Sequence, residues 1–549
     1  MNPKQMFHIR SYINRWIISC LALVIYSSVR QASGQDSLKQ QTIDIYSSYQ
    51  PSLRQAAKLN LTANLPALDT SNLPLTYHIP PLNLYFTYQP LPLRPLAMGG
   101  DTLKALQDNF IKAGFGTFST PLLQLGLGSG RTNQYNYGVY FSHLSSQGKI
   151  EYQDFSSDNL TLHGQYFNKG IEFDGGLQYD RQAVNYYGYN HDSLKLSSAD
   201  VQQVYNNFSV TVGLNNDSAN AAGLNFSPQL TLTHFFDTRQ HNESTFYLKA
   251  PIEKEIADGF SLSAIFIADY SNYSDPTQSF SNNLTAIHPA LNIVKPGFTL
   301  HAGLNPTWSI NKFYLLPDIV NETNLIKNRI ILSSGWISYI HKNSFQNLAN
   351  ENPYIDGYSN PENTRIEEKY TGIKGTVSKH FNYNTKFSYI TYSGLPLLVN
   401  DSLDGKTFVP RYESQLTAYQ LHGEIGYMSE ETFQARFSMD WYDYLSQQTQ
   451  REPWGLVPFQ AELYLDYELF KHFRINAEAF AMSGSYFMQN GKSGKTPGAV
   501  DMNAGVSYQI GKNFGLWFNA NNIFNSKYQR WHDYPALGRN LIGGLLIKF

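Results

Sequence analysis

Cysteine is almost missing from this chain, and charge is scarce. Cys20 stands alone, and Asp, Glu, Lys and Arg together make up 15% of residues, against roughly 25% in ordinary soluble domains. Beyond Cys20, no disulfide scaffold and no thiolate metal centre can be built. So few charges give too little polar cover for an ordinary solvated surface. The formal net charge of −2 supplies no global field, so nucleic acid is not an expected partner. Long apolar runs are missing as well: after residue 34 none approaches the ~18 residues that mark a membrane-spanning helix. If the chain sits in a membrane, strands must carry it across.

Aromatic residues are abundant, with 39 Tyr and 34 Phe, and many stand on segments that alternate every second residue. Phe208, Val210, Val212 and Leu214 alternate with Ser209, Thr211, Gly213 and Asn215. Phe433, Ala435, Phe437, Met439 and Trp441 alternate with Gln434, Arg436, Ser438 and Asp440. Phe459 to Tyr467 and Val500 to Tyr508 repeat the pattern. Side chains on a strand point to opposite faces in turn, so each segment has one apolar and one polar face. At about 10 residues, such a segment has the length of a tilted transmembrane strand.

Tight turns at Asn168-Lys169-Gly170, Val294 to Gly297, Phe470 to Phe473 and Gly511 to Gly515 alternate with longer loops. The loops are read at Ser145 to Asp158, Gln182 to Gln203, His341 to Thr364, Asn400 to Tyr412 and Gly484 to Gly498. Short turns at one end and long loops at the other are the asymmetry of outer-membrane barrels. The expected fold is therefore all-β, a transmembrane antiparallel β-barrel over residues 110–549. It should have about 22 strands, with 16 to 22 admissible because Ile310 to Ile331 divides poorly, and an even number. Aromatics grouped at Tyr135, Tyr137, Tyr140 and Phe141, at Tyr179, Tyr186 and Tyr187, and at Trp441, Tyr442 and Tyr444 read as interfacial girdles. Glu462, Asp466, Glu478, Asp501 and Arg436 are expected to line a hydrophilic lumen.

The first 34 residues read as a secretory signal peptide: Lys4, Arg10 and Arg15 precede the apolar run Trp16 to Tyr26, with Ala32-Ser33-Gly34 as the cleavage stretch. Residues 35–109 are rich in proline (Pro51, Pro66, Pro74, Pro80, Pro81, Pro90, Pro92, Pro95) and predict extended chain, periplasmic or inside the lumen.

The stretch Asn522-Ile523-Phe524-Asn525-Ser526-Lys527-Tyr528, followed by Tyr534-Pro535, Gly538-Arg539-Asn540 and the terminal Lys548-Phe549, resembles the closing hairpin of TonB-dependent receptors. Further resemblance, to plugless receptor-like members, lies in Gly114 to Leu122, His143 to Gly148, Asn343-Ser344 and Glu351-Asn352-Pro353. This implies a Gram-negative outer-membrane location, with the lipid bilayer and the barrel assembly machinery as partners. It also implies solute uptake or passage of the transport or porin kind, with TonB as a further partner through Thr42-Ile43-Asp44-Ile45-Tyr46, a strand-forming stretch. The receptors carry a Gly-rich plug domain, and 35–109 is too short and Pro-rich to be one. The alternative function is a barrel that anchors or scaffolds a surface or secretion complex without transport.

No catalytic constellation is visible, so an enzyme is not expected, and neither cofactor nor metal is called for. Gly126-Leu127-Gly128-Ser129-Gly130 reads as a turn. His234, Asp237 and His241 read as solvated loop residues rather than metal ligands. A lipase-like pair is suggested at most by Ser142 and His143, which as neighbours on a strand face opposite ways. The candidate ligand loop is Asn343 to Ile355, with Phe345 and Leu348 one helical turn apart and Tyr354 after Pro353. On the last strand Leu541, Leu545, Ile547 and Phe549 share an apolar face, which the resemblance marks as the assembly signal. Deleting Phe549 should lower the amount of heat-modifiable barrel recovered from the outer membrane; wild-type recovery would contradict that role.

Overall fold

A computed structural model describes residues 109–549, apart from 131, 133, 217, 218, 328, 360, 379, 403, 430, 431 and 490. The signal peptide, all of the Pro-rich segment except Asn109, and Thr42 to Tyr46 lie outside the described residues. What is described is an antiparallel sheet closed on itself. It runs from Phe110–Gly116 to Asn540–Lys548, and these two strands pair with each other along seven positions, Phe110 opposite Lys548 through Gly116 opposite Ile542. The segments Leu224–Phe226 and Gln229–Asp237 are two pieces of one stave. It is interrupted at Ser227 and Pro228, where proline has no N–H to give the ladder. Counted as one, they make a barrel of 22 strands.

Tight turns such as Lys169-Gly170 and Pro296-Gly297 mark one end, and the long loops are at the other, together with a few short turns such as residues 117–119 and 310–311. The first strand starts and the last ends on the short-turn side, as an even strand number requires. The difficult stretch after Trp308 resolves into the hairpin Phe298–Ser309 and Lys312–Ile326. Its turn is Ile310-Asn311, with φ of 44° and 60°. A β-branched residue in the left-handed region is rare, and neither glycine nor proline marks the turn in the sequence.

Several local readings need correction. Strands extend further into the loop side than polarity suggests, so Tyr135–Gln147 and Asp154–Asn168 leave only residues 148–153 between them. The loops after Ser393 and Met482 carry hairpins of their own, Leu395–Asn400 with Phe408–Glu413 and Tyr486–Gln489 with Lys492–Lys495. Gly126 and Gly128 continue the strand Thr120–Gly128 rather than turning. At Gly126 an added Cβ would stand 2.2 Å from the Phe110 ring, so the missing side chain makes room across the ladder.

The two faces divide as the alternation requires. Phe115, Leu127, Phe173, Leu177, Val212 and Leu262 are among the large apolar side chains exposed on the outside. Only lipid can cover such a continuous band. The inner face is polar and paired: Lys374 Nζ lies 2.6 Å from Glu322, Lys386 Nζ 2.6 Å from Glu368, and Arg474 Nε 2.7 Å from Asp466. The aromatic groups split between the faces. Tyr135, Tyr137 and Trp441 are exposed outside, whereas Tyr442 faces inward, where its hydroxyl accepts from Gln420 Nε2 at 2.8 Å. Tyr186 and Tyr187 are buried among the loops. Neighbours on a strand cannot share a face, so a run such as Trp441-Tyr442 never serves one girdle.

Candidate functional site: the loop cap and the lumen beneath it

The long loops do not stand free. Residues 186–201, 342–363, 394–415 and 522–539 leave the wall at widely separated strands, yet they meet in one buried cluster. Tyr186, Tyr354, Tyr358, Phe408 and Tyr534 lie at its centre. To meet, the loops must bend across the barrel mouth.

The helix Phe345–Glu351 is the middle of this cap. Ser344 caps it, its hydroxyl accepting from the Asn347 N–H at 3.1 Å. A second acceptor comes from the barrel wall. The buried Glu243 carboxylate accepts from the N–H of Phe345 at 2.9 Å and of Gln346 at 3.4 Å. A carboxylate at a helix N-terminus satisfies donors that the helix leaves open and meets the positive end of its dipole. In the same turn Gln346 Nε2 donates to Asn207 on the inner wall at 2.9 Å. Lys342 pairs with Asp269, and Tyr205 donates its hydroxyl to the Pro353 carbonyl at 3.0 Å.

Aromatic stacking joins the remaining loops to this helix. The rings of Tyr354 and Tyr534 stack with centroids 3.5 Å apart, and Tyr187 meets Tyr534 edge-on at 4.8 Å. Tyr186 donates to the Ile355 carbonyl at 3.1 Å and Tyr187 to that of Pro535 at 3.0 Å. The Phe408 N–H donates to the Tyr354 carbonyl and the Asp356 N–H to that of Phe408, each at 2.9 Å. Glu413 anchors another loop. Burial alone would raise its pKa, but backbone N–H groups of Gln450, Gln448, Thr449 and Gln415 bind the carboxylate and hold it below its ordinary value.

The stretch that resembles a receptor's closing hairpin ties the cap to the wall. The Asn522 side chain donates to the carbonyls of Ser526 at 2.9 Å and Leu537 at 2.6 Å. Asn525 Oδ1 accepts from the Arg539 N–H at 3.0 Å. Asp501, on the inner wall, accepts from the N–H of Phe524 at 3.1 Å. Both asparagines have positive φ, 49° and 56°, a conformation this residue type tolerates better than most.

The residues singled out in the sequence fall into separate places. Phe345, Leu348 and Tyr354 are 0%, 2% and 2% exposed, inside the cap's own core rather than on its surface. Glu462, Glu478, Asp466, Asp501 and Arg436 lie on the inner face, since along their strands they alternate with, or pair with residues that alternate with, the outward Leu463, Val500 and Phe437. Leu541, Leu545 and Phe549 are exposed outside and Ile547 partly so. Asp237 and His241 are not solvated: they are buried and bonded to each other at 2.7 Å, while His234 bonds Ser244 on the outer face. Among the described residues no group of three His, Cys, Asp or Glu is placed to hold a metal ion. Ser142 and His143 face apart, but His143 meets Asp158 and Ser145 on the outside. Sequence reasoning missed Glu243 and Glu413, because a lone glutamate at a strand end gives no sign that distant amides will converge on it.

No family model matches this sequence, and no curated protein matches it. Solved structures do. The FrpB iron transporter of Neisseria meningitidis, in its F5-1 apoprotein form, superimposes with a TM-score of 0.65 at 10% identity, over 81% of this chain and 82% of that one. The siderophore receptor PirA of Acinetobacter baumannii gives 0.63 at 9% identity, covering 80% of each chain. The pyoverdine receptor FpvA of Pseudomonas aeruginosa gives 0.60 at 11%, over 82% of this chain and 79% of that one. At such identities the likeness is one of fold, and the fold is that of a TonB-dependent receptor-like outer-membrane barrel.

The cap carries a titratable weak point. Glu351 ends the central helix, and although part of its surface stays accessible, burial raises its carboxyl from an ordinary 4.5 to about 7, with Arg530 opposing the shift. The folded cap therefore binds this proton more tightly than open loops do. The stability that Glu351 itself contributes is full below about pH 4.5 and is lost as pH rises through about 7. Amide exchange across residues 345–358, corrected for intrinsic rate, should be faster at pH 8 than at pH 5.5, and Glu351→Gln should remove the difference. Equal protection of the wild type at both pH values would contradict it.

Proposed function

We propose that the chain is a gated outer-membrane barrel that mediates solute uptake, its loop cap being the gate. The observation that supports this most is the pairing of a polar inner wall with loops that meet over the mouth in one buried, largely aromatic cluster. A purely structural anchor has no need to keep a hydrophilic lumen under a lid. Two buried donors in the cap, Asn352 Nδ2 and Trp531 Nε1, find no acceptor among the described residues. Such unpaired groups each cost about 1–3 kcal/mol, and that lowers the work of opening. Phe345, Leu348 and Tyr354 would then meet a solute only as the cap parts.

The same reading takes residues 1–34 as an export signal and 35–109 as a segment at or inside the periplasmic side of the barrel 110–549. It takes Thr42 to Tyr46 as the contact for TonB, and Leu541, Leu545, Ile547 and Phe549 as the surface presented to the assembly machinery. Iron complexes are the first solute class to try, since the neighbours of like fold are named for iron and siderophores.

Liposome swelling tests the reading. Wild-type barrels should admit sugar-sized solutes slowly, and the double variant Tyr354→Ala, Tyr534→Ala should admit them several-fold faster. No entry through either, with a protein partner retained through purification, would favour the anchor.

A further inference from the structure

On the outer face of the barrel, near the long-loop end, three side chains are in register. His143 stands directly opposite Asp158, and Asp158 opposite Arg181, on adjacent strands. His143 Nδ1 lies 2.6 Å from Asp158 Oδ1. Its other nitrogen, Nε2, lies 3.3 Å from Ser145 Oγ, two residues along the same strand and so on the same face. Arg181 Nη1 donates to Asp158 Oδ2 at 3.2 Å and to Ser156 Oγ at 2.8 Å, and Ser156 is the cross-strand partner of Ser145.

The face is settled by parity and by partners. Tyr137, on the strand of His143, and Tyr166, on the strand of Asp158, share their side of the sheet and are exposed. The alternate positions turn inward: Leu144 and Ser146 are buried, and Asn159 bonds Asp180, which also receives Asn207, the residue touched by the cap helix. The next row on the outer face, toward the membrane centre, is Leu125, Phe141, Leu160 and Tyr179. The three polar side chains are accessible, at 31%, 23% and 35% for His143, Asp158 and Arg181.

From this geometry we propose that Ser145, His143 and Asp158 form a hydrolytic triad facing the outer leaflet, acting on carboxylic esters of acyl lipids. An aspartate on Nδ1–H fixes the tautomer that leaves Nε2 free to take the serine proton. Ser145 Oγ attacks the ester carbonyl carbon as its proton passes to His143 Nε2. The alkoxide leaves with that proton as an alcohol, giving an acyl-serine. Water, deprotonated by His143, then releases the fatty acid and restores Ser145. Arg181, bonded to Asp158 and Ser156, holds that carboxylate in place. The apolar row below gives acyl chains a surface to lie on, which is why the substrate class is lipid rather than a soluble ester. The triad is on the opposite side of the wall from the lumen, so it stands independently of the transport reading.

The test uses the full chain in detergent, folded as judged by heat-modifiable migration. A fluorophosphonate probe should form an adduct that peptide mass spectrometry places on Ser145. Fatty acid should be released from mixed micelles of a diacyl phospholipid or, in a separate arm, of lipid A, and the arm that responds identifies the source. Ser145→Ala should fall to background, and Asp158→Asn should lose on the order of 10²-fold or more. Ser142→Ala, beside His143 in the chain but on the inner face, should match the wild type. A merely structural hydrogen-bond cluster would not make Ser145 reactive. No adduct on Ser145, with wild-type release from both micelles no greater than that of Ser145→Ala, overturns the proposal.

Discussion

Everything in this molecule depends on one seam, where Phe110–Gly116 pairs with Asn540–Lys548. In a bilayer an unpaired backbone group costs several kcal/mol, so an open edge of this length could not persist in lipid. The seam is built to be tight. Gly114 stands opposite Gly544; a Cβ on Gly544 would come within 1.9 Å of the Ala113 carbonyl oxygen, and one on Gly114 within 2.3 Å of the Trp517 ring. Trp517 uses that space to pack with Leu122, Leu144, Ile542 and Leu546 on the inner face. Both ends are locked. The Leu541 N–H donates to Thr117 Oγ1 at 3.0 Å, Asn540 Nδ2 donates to Thr120 Oγ1 at 3.0 Å, and the Phe549 N–H donates to the Asn109 carbonyl at 3.0 Å. A slip of one residue would turn Leu545 inward and Leu546 toward lipid, so closure also fixes which face every other strand presents.

Closure explains why the wall was legible in the sequence. A strand exposed to lipid on one side and water on the other writes its orientation into every second residue, and Val500 to Tyr508 or Phe433 to Trp441 need no tertiary information to be read. The mouth was less legible for the same reason. Tyr186 and Tyr187 look like girdle residues by composition, but a loop has no two-residue rule, and their burial depends on Tyr354 and Tyr534 arriving from far along the chain. The turn at Ile310-Asn311 was hidden because its strained backbone is held by the hairpin on either side rather than signalled by glycine. The Asn522 to Tyr528 motif was visible as a motif, but not as the clasp that binds a loop to Asp501.

The outer triad was missed for a different cause. Adjacency rules out Ser142 with His143, and that reasoning holds. The partner two residues on, Ser145, satisfies the alternation, while Asp158 becomes its third member only through the register of the next strand. Polar residues placed just above an apolar band satisfy one another there, and the same register presents a nucleophile, a base and its orienting carboxylate to lipid. Lumen, cap and outer rim thus use one wall in three ways: polar pairing inside, aromatic packing across the mouth, and a row of hydrogen bonds outside.

The central claim is that the cap is the gate of this lumen, and a reversible lock tests it directly. Ile355 and Phe408 are bridge partners from two different loops, within the reach a disulfide requires. With cysteine at both positions, solute entry into liposomes should stop on oxidation and return on reduction. Equal entry in the oxidised and reduced states would show that solute does not pass the cap.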